Sequence, residues 1–470
     1  MNRKNELVRN TMILTIGKVC TQFISFLLLP LYTSILNTSE YGVVDLFATY
    51  VALLLPIVSW QFDQGIFRFM IDARNEKSQI KSIYSNVVVM NVIQNMIFLI
   101  VYLICRKYVS SEFKDYLLVN VILNVFSGTL MQFARGLGQM MTYAIGSFIT
   151  ASSTVVFNVI YLVIFKWGAH GLFRATITAL IINILYLAVS IKVWRYFDIH
   201  TLNKKIVKNM SKYTLPLVPN QISGWILSAS DRSIITGFLG LTYNGIYAVA
   251  YKFPGIISTF YGFFNMAWVE TVALHFKDAD RDEFFTETVH TVLGFFISVC
   301  NGIIAIMPFL FPVIVNEKYS DAYYQIPILL VAVIFQIIVG LLSAVYLALK
   351  KSAVIARTTI FGAVINIVVH IILIKWCGLY AASISTLISY MSVALYRSVD
   401  VKKYIGFKWN KTFILKTLLS VSVVLFCYYE NTVILNIVSV SFAFVFAIYI
   451  NKDIVTSIIR KVVKLTKYHK

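Results

Sequence analysis

The chain has 470 residues, of which 59% are hydrophobic and only 13% charged, so it cannot be a water-soluble globular domain. Its formal net charge of +20 could suggest a nucleic-acid partner. The cations, however, are spread over many segments between apolar runs and form no basic stripe, which argues against nucleic acid and indicates contact with anionic lipid headgroups.

Apolar runs of about 20 residues, long enough to cross a hydrocarbon core, recur along the whole chain. Because these runs are continuously apolar, they predict helices rather than the alternating strands of a barrel. The first run is too long for a signal peptide and lacks a small-residue cleavage site, so we read it as the first span. The predicted fold class is an all-α integral membrane protein with about fourteen transmembrane helices, at 11–36, 42–66, 83–105, 116–134, 144–165, 171–193, 213–238, 243–270, 289–314, 325–349, 354–375, 378–397, 412–429 and 432–450.

The distribution of Lys and Arg predicts the orientation of these spans. Basic residues concentrate after spans 2, 6, 10 and 12 and in the tail 452–470, whereas the opposite loops hold few. Since basic loops stay on the cytoplasmic side, both termini are predicted to be cytoplasmic.

The first six spans resemble the next six. The segment EYGVV at 40–44 corresponds to YNGIY at 243–247 with an offset of 203, and the Lys-Trp pair at 166–167 corresponds to that at 375–376. A repeat of six spans starts both copies on the same side, related by a pseudo-twofold axis along the membrane normal. We therefore predict an N-terminal lobe at 1–200, a C-terminal lobe at 201–400, and two further helices with a basic tail at 401–470.

Polar and small side chains recur on one face of spans 1 and 2 and at the corresponding positions of spans 7 and 8. A lipid-facing surface gives no reason to keep such groups, so these four spans are predicted to wall a central cavity. The alternative is that small residues permit close helix packing while Ser and Thr bond to their own backbone. The predicted polar lining is Gln22, Ser25, Thr49, Asp63, Gln221, Ser228 and Asp231.

Cations inside or at the ends of spans predict a site for an anionic group. At about 1.5 Å per residue, Lys18 and Lys252 lie roughly 10 and 13 Å into their spans, where an unpaired charge costs about 2.5–3.5 kcal/mol. Lys18 could instead snorkel toward the headgroups, and Arg68 and Arg135 could anchor inner helix ends. An excess of cations favours an anionic ligand such as a diphosphate, because Arg binds phosphate oxygens through two donors. The predicted cationic set is Lys18, Arg68, Arg135, Arg174, Arg232 and Lys252.

Charged residues also gather at the predicted outer ends of two spans. Asp231 and Arg232 come late in span 7, and Arg174 begins span 6 on the same side. Neighbouring helix residues point about 100° apart, so Asp231 need not neutralise Arg232. A salt link acting as an outer gate is one interpretation of this cluster.

Three motifs together resemble those of a known family. They are DRSIITG at 231–237 leading to GIY at 245–247, QGIFRF at 64–69 and ARGLG at 134–138. The chain resembles the Wzx-type polysaccharide flippases, of the superfamily that also contains the MATE multidrug antiporters and the lipid II flippases.

This resemblance implies a two-lobed, MATE-like transporter of a bacterial cytoplasmic membrane. It would flip undecaprenyl-diphosphate-linked oligosaccharide repeat units by alternating access, for O-antigen or capsule assembly. The resemblance further implies that Lys18, Arg68, Arg232 and Lys252 attract the diphosphate or its sugars. It also suggests proton or sodium coupling, and polysaccharide polymerase machinery as a partner.

Two other functions stay open at this point. The first is a cation-coupled multidrug antiporter, although the first span carries Lys18 and Gln22 where such antiporters commonly hold a carboxylate. Export of another lipid-linked glycan, such as a teichoic acid unit, is a variant of the flippase hypothesis and not a separate function. The second is a membrane enzyme. Nucleophile and base pairs, metal-ligand clusters and phosphate-binding glycine loops do not stand out in the sequence, so we predict no catalytic residues, metal or cofactor.

Overall fold

A computed structural model of the chain describes residues 26–74, 76–452 and 455–456, except for the side chains at 227 and 228. All regular elements within these residues are helical. The helices form two compact units, one ending at Gly245 and the other beginning at Ile246.

The first unit contains three short helices and several longer ones. Its helices are α1 Leu29–Ile35, α2 Thr38–Ser59, α3 Phe62–Ala73, α4 Lys77–Cys105, α5 Lys114–Gly136, α6 Met140–Val159 with a π-helical turn at Ile160–Ile164, α7 Gly168–Ile191, α8 Lys204–Thr214 and α9 Leu217–Leu239, followed by the start of α10 Leu241–His275. α2 begins at a capping box, in which Asn37 Oδ1 accepts from the Glu40 amide and Glu40 Oε2 accepts from the Asn37 amide.

The second unit contains the rest of α10 and six helices, α11 Arg281–Ile314, α12 Ala322–Ala348, α13 Ser352–Cys377, α14 Tyr380–Asp400, α15 Lys411–Glu430 and α16 Val433–Ile450. α14 packs against both α12 and α13. Arg397 of α14 is only 1% exposed and donates to Ser343 Oγ, the Val339 carbonyl and Thr358 Oγ1 of the two neighbouring helices. This guanidinium therefore ties three helices together through neutral acceptors.

Ten helices among the described residues are long and apolar enough to cross a membrane, so the chain is a multi-pass membrane protein. Each predicted span from the second to the fourteenth overlaps a helix of the structure, whereas most of the first lies outside the described residues. The second predicted span differs in being broken, because α2 ends at Ser59 and a separate helix, α3, begins at Phe62.

α8 is a short amphipathic helix that the sequence analysis read as a basic loop. Its four lysines alternate with apolar residues, and Met210 is buried against α3. A side chain at Gly65 of α3 would collide with Met210, since a Cβ atom there would lie 2.7 Å from Met210 Cγ. The glycine of the QGIFRF motif thus permits the close packing of α3 on α8.

Candidate functional site

The first unit encloses a cavity of about 960 Å³. Helices α1, α2, α3, α5, α6, α7 and α9 contribute side chains to its wall. Much of the lining is amide and hydroxyl, including Asn124, Ser127, Thr150, Thr154, Asn158 and Asn183. Within the described part of the chain, Asp63 is the one acidic or basic residue of the lining. A large polar cavity inside an apolar helical bundle is the expected form of a solute pathway.

Two asparagines of this wall are held by hydrogen bonds that use only their amino groups. Asn158 Nδ2 donates to Tyr32 Oη at 2.6 Å, and Asn183 Nδ2 donates to Ser127 Oγ at 2.9 Å. Both residues are buried, at 5% and 1% exposure. Their Oδ1 atoms have no hydrogen-bond partner among the described residues. The Asn183 oxygen lies against Gly146 of α6, where a Cβ atom would be 2.9 Å from it.

The break between α2 and α3 lies at the wall of the cavity. Trp60 and Gln61 both adopt left-handed backbone conformations, with φ of 48° and 57°. Such conformations cost about 1–2 kcal/mol each for residues other than glycine, and they cluster at functional sites. The break lets Ser59, Gln61 and Asp63 all line the cavity. Asp63 Oδ2 accepts from Gln64 Nε2 at 2.9 Å.

α9 contributes Gln221 and Trp225 to the lining. The indole Nε1 of Trp225 donates to the Thr49 carbonyl of α2 at 2.8 Å. This bond fixes the ring while leaving it half-exposed beside the cavity. Gly128 of α5 and Gly224 of α9 also line the cavity, and a Cβ atom at either would meet nothing within 4 Å. These two positions therefore border open space.

α2 and the first turn of α10 cross at two glycines related by the repeat. A Cβ at Gly42 would overlap the Leu241 carbonyl, and a Cβ at Gly245 would overlap the Thr38 carbonyl. The two contacts are reciprocal under the offset of 203. Asn244 Nδ2 adds a hydrogen bond of 2.8 Å to the Gly42 carbonyl. Side chains larger than hydrogen cannot fit at this crossing.

An ion pair lies one turn along α2 from this crossing. Arg232 Nε of α9 donates to Asp45 Oδ2 of α2 at 2.7 Å, and the two side chains are 10% and 20% exposed. The sequence analysis expected Arg232 in an outer salt link but did not identify Asp45 as its partner. Asp231, the residue it considered, is 3% exposed on the same helix.

Three other cations of the predicted set lie in the first unit, each beside a different partner. Arg68 is exposed and pairs with Asp72 at 2.8 Å, and Arg135 lies over the Phe67 ring at 4.1 Å. Arg174 is exposed over the Trp167 ring at 4.4 Å. Lys252 is half-buried in the second unit. Arg68, Arg135, Arg174 and Arg232 are not among the residues that line the described cavity.

Of the predicted polar lining, Asp63 and Gln221 line the cavity, and Thr49 is buried on α2 with its hydroxyl bonded to the Asp45 carbonyl. Lys18, Gln22, Ser25 and the side chain of Ser228 lie outside the described residues.

The asparagines of the lining were not predicted from the sequence. A signal was present on α6, where polar residues at 147, 150, 154 and 158 follow helical spacing within an apolar run. The same holds on α5, where Asn120, Asn124 and Ser127 share a face.

These features define a class of protein, a multi-pass helical membrane protein with a polar cavity, and its fold has known counterparts. The lipid II flippase MurJ, in an inward closed conformation, superimposes with a TM-score of 0.71 at 14% identity, covering 95% of this chain and 100% of that one. An inward-facing multidrug resistance MATE family transporter of the MOP superfamily gives a TM-score of 0.69 at 14% identity, covering 82% and 95%.

Sequence comparison identifies the family. The family of polysaccharide biosynthesis proteins matches residues 7–270, more than half of the chain, and the chain belongs to it. A curated relative is the probable low-salt glycan biosynthesis flippase Agl15 of Haloferax volcanii, 22% identical over 430 residues, covering 86% of this chain and 85% of the relative.

Proposed function

We propose that this protein flips a lipid-linked oligosaccharide from the cytoplasmic to the outer leaflet of a bacterial cytoplasmic membrane. The observation that carries this proposal is the polar cavity of about 960 Å³ within a bundle of apolar helices. Membership in the polysaccharide biosynthesis family and the similarity to a glycan biosynthesis flippase support it. The cargo would be an undecaprenyl-diphosphate-linked repeat unit for O-antigen or capsule, and the polymerase machinery would receive it on the outer face. Both termini would be cytoplasmic.

Alternating access would use the crossing of α2 and α10 as the outer closure. The positive-inside rule assigns the N-terminal ends of both helices to the outer side. Gly42 and Gly245 bring the backbones together there, and the Asp45–Arg232 pair lies beside them. Opening would separate these contacts and would expose both charges to water, where an ion pair loses most of its strength. The closure is thus reversible in principle.

The cations would act on the diphosphate, and an ion gradient would supply the driving force. Lys18 and Lys252 are the deepest predicted cations, so they would attract the phosphates as the headgroup enters. Asp63 is the acidic residue of the described cavity and would bind the coupling proton or sodium ion. The protein would perform no covalent chemistry.

Deletion of the gene in its own host tests this proposal. We expect loss of surface polysaccharide and accumulation of lipid-linked repeat units on the cytoplasmic leaflet, both restored by the wild-type chain. Lys252→Glu should restore less than a tenth of the surface polysaccharide. The matched control Lys408→Glu, on an exposed loop residue, should restore it fully.

The alternative of a multidrug antiporter rests on a shared fold. It makes a different prediction for the same strains: drug efflux would fall on deletion while glycan export stayed intact. That result would contradict the flippase proposal.

A further inference from the structure

The chemistry of the cavity in the first unit differs from the chemistry that a diphosphate requires. Phosphate oxygens are usually bound by Arg, by Lys or by clustered backbone N–H groups. The described lining offers amides, hydroxyls and the Asp63 carboxyl instead. A carboxyl beside a bound phosphate would repel it, so the described wall suits a neutral polar ligand better than an anion.

The hydroxyl groups of a neutral saccharide can form hydrogen bonds with the polar groups of this wall. A sugar hydroxyl is both donor and acceptor, and the wall supplies amide oxygens, amide amino groups and hydroxyls. The lining supplies these groups from three helices: Asn124 and Ser127 of α5, Thr150, Thr154 and Asn158 of α6, and Asn183 of α7.

Trp225 provides the apolar surface that a sugar ring also needs. One face of a hexose presents C–H groups, which pack on an aromatic ring. The indole is fixed by its hydrogen bond to the Thr49 carbonyl and borders the cavity. A fixed ring loses little conformational entropy when a ligand binds.

The size of the cavity agrees with a short oligosaccharide. Ligand pockets commonly occupy about 300–1,000 Å³, and this cavity, at about 960 Å³, is at the upper end of that range. Gly128 and Gly224 leave space in the cavity, because neither position carries a side chain that would enter it.

We propose that the cavity of the first unit is a saccharide subsite that holds uncharged sugar residues of the cargo, while the diphosphate binds elsewhere. This rests on the proposed flippase function and adds the part of the cargo that this cavity recognises. It further implies selection against acidic sugars, because a second carboxylate would lie near Asp63.

Filling the cavity tests the subsite directly. Gly128→Leu places a side chain in the open space, and Gly237→Leu is the matched control, an exposed α9 position whose Cβ also meets nothing within 4 Å and which does not line the cavity. Both changes replace helical glycine by a better helix former, so neither should lower stability. Thermal unfolding in detergent would confirm this before any binding measurement.

The probe is a panel of phosphate-free and lipid-free tri- to pentasaccharides of neutral hexoses and N-acetylhexosamines. Saturation-transfer NMR on the purified full-length chain should show saturable binding of at least one member. Gly128→Leu should weaken that binding at least tenfold, and Gly237→Leu should leave it within twofold. Derivatives with a uronic acid should bind at least tenfold more weakly than their neutral counterparts, and Asp63→Asn should reduce this difference.

Two results would overturn the subsite: no saturable binding of any neutral member to the wild-type chain, or equal binding by Gly128→Leu and wild type. A different result bears on the proposed function alone. If the wild-type chain binds the oligosaccharides but moves no lipid-linked glycan between leaflets, the subsite stands and the flippase assignment fails.

Discussion

Removing the cation of the Asp45–Arg232 pair should weaken the first unit far more than breaking an exposed pair. The two side chains are 10% and 20% exposed and their charged atoms are 2.7 Å apart. Arg232→Gln leaves the Asp45 carboxylate largely buried without its partner, and removal of one member of such a pair costs about 3–5 kcal/mol. At about 2–4 °C per kcal/mol for a unit of this size, we expect the melting temperature to fall by roughly 6–20 °C.

The assay is thermal unfolding of the purified protein, followed by tryptophan fluorescence in a mild detergent. Arg106→Gln is the control, because the Arg106–Asp115 pair is 3.2 Å long with both side chains about half-exposed, and exposed pairs contribute about 0–1 kcal/mol. The double variant Asp45→Asn with Arg232→Gln should cost less than the sum of its two single changes, by about 2 kcal/mol. Equal effects of Arg232→Gln and Arg106→Gln, or strict additivity in the double variant, would refute the reasoning.

Four further changes have defined outcomes. Gly42→Ala would place a methyl group on the Leu241 carbonyl, so it should cost about 1–3 kcal/mol in thermal unfolding, contrary to the usual gain on replacing a helical glycine. Arg397→Lys should cost about 2–4 kcal/mol in the same measurement, since an ammonium group cannot reach acceptors on both neighbouring helices; unchanged stability would show that those bonds are dispensable. Trp225→Phe should lower the free energy of unfolding by about 1 kcal/mol, because it loses the bond to the Thr49 carbonyl. In titrations, Trp225→Phe should bind oligosaccharide with an affinity within threefold of wild type, whereas Trp225→Ala should bind it at least tenfold more weakly.

Hydropathy predicted the ten helices of the described residues that are long and apolar enough to cross a membrane, because crossing a bilayer demands about 20 apolar residues in a row. The break in the second span could not be found in this way. Trp60 and Gln61 are not residues that favour left-handed backbone, so the break depends on surrounding tertiary contacts. The internal repeat aligned Gly42 with Gly245, but it did not predict that these two glycines meet in space.

The candidate site was harder to predict, because the sequence analysis followed charge. A charge inside a membrane is costly and therefore conspicuous, but a sequence does not show which charges are paired. Arg232 proves to be bound to Asp45, and Arg68 to Asp72. The polar wall is made of side chains far apart in the chain, such as Asn158 and Gln221, which only the packing of several helices brings to one cavity.

The most direct measurement of the central claim is leaflet exchange in vesicles. The purified chain would be reconstituted with a fluorescent undecaprenyl-diphosphate-linked repeat unit, and a membrane-impermeant reductant would report the fraction of cargo on the outer leaflet over time. The account predicts that the protein converts a protected half of the cargo into an accessible one within minutes, and that Gly128→Leu slows this exchange at least tenfold. Exchange no faster than in protein-free vesicles would contradict it.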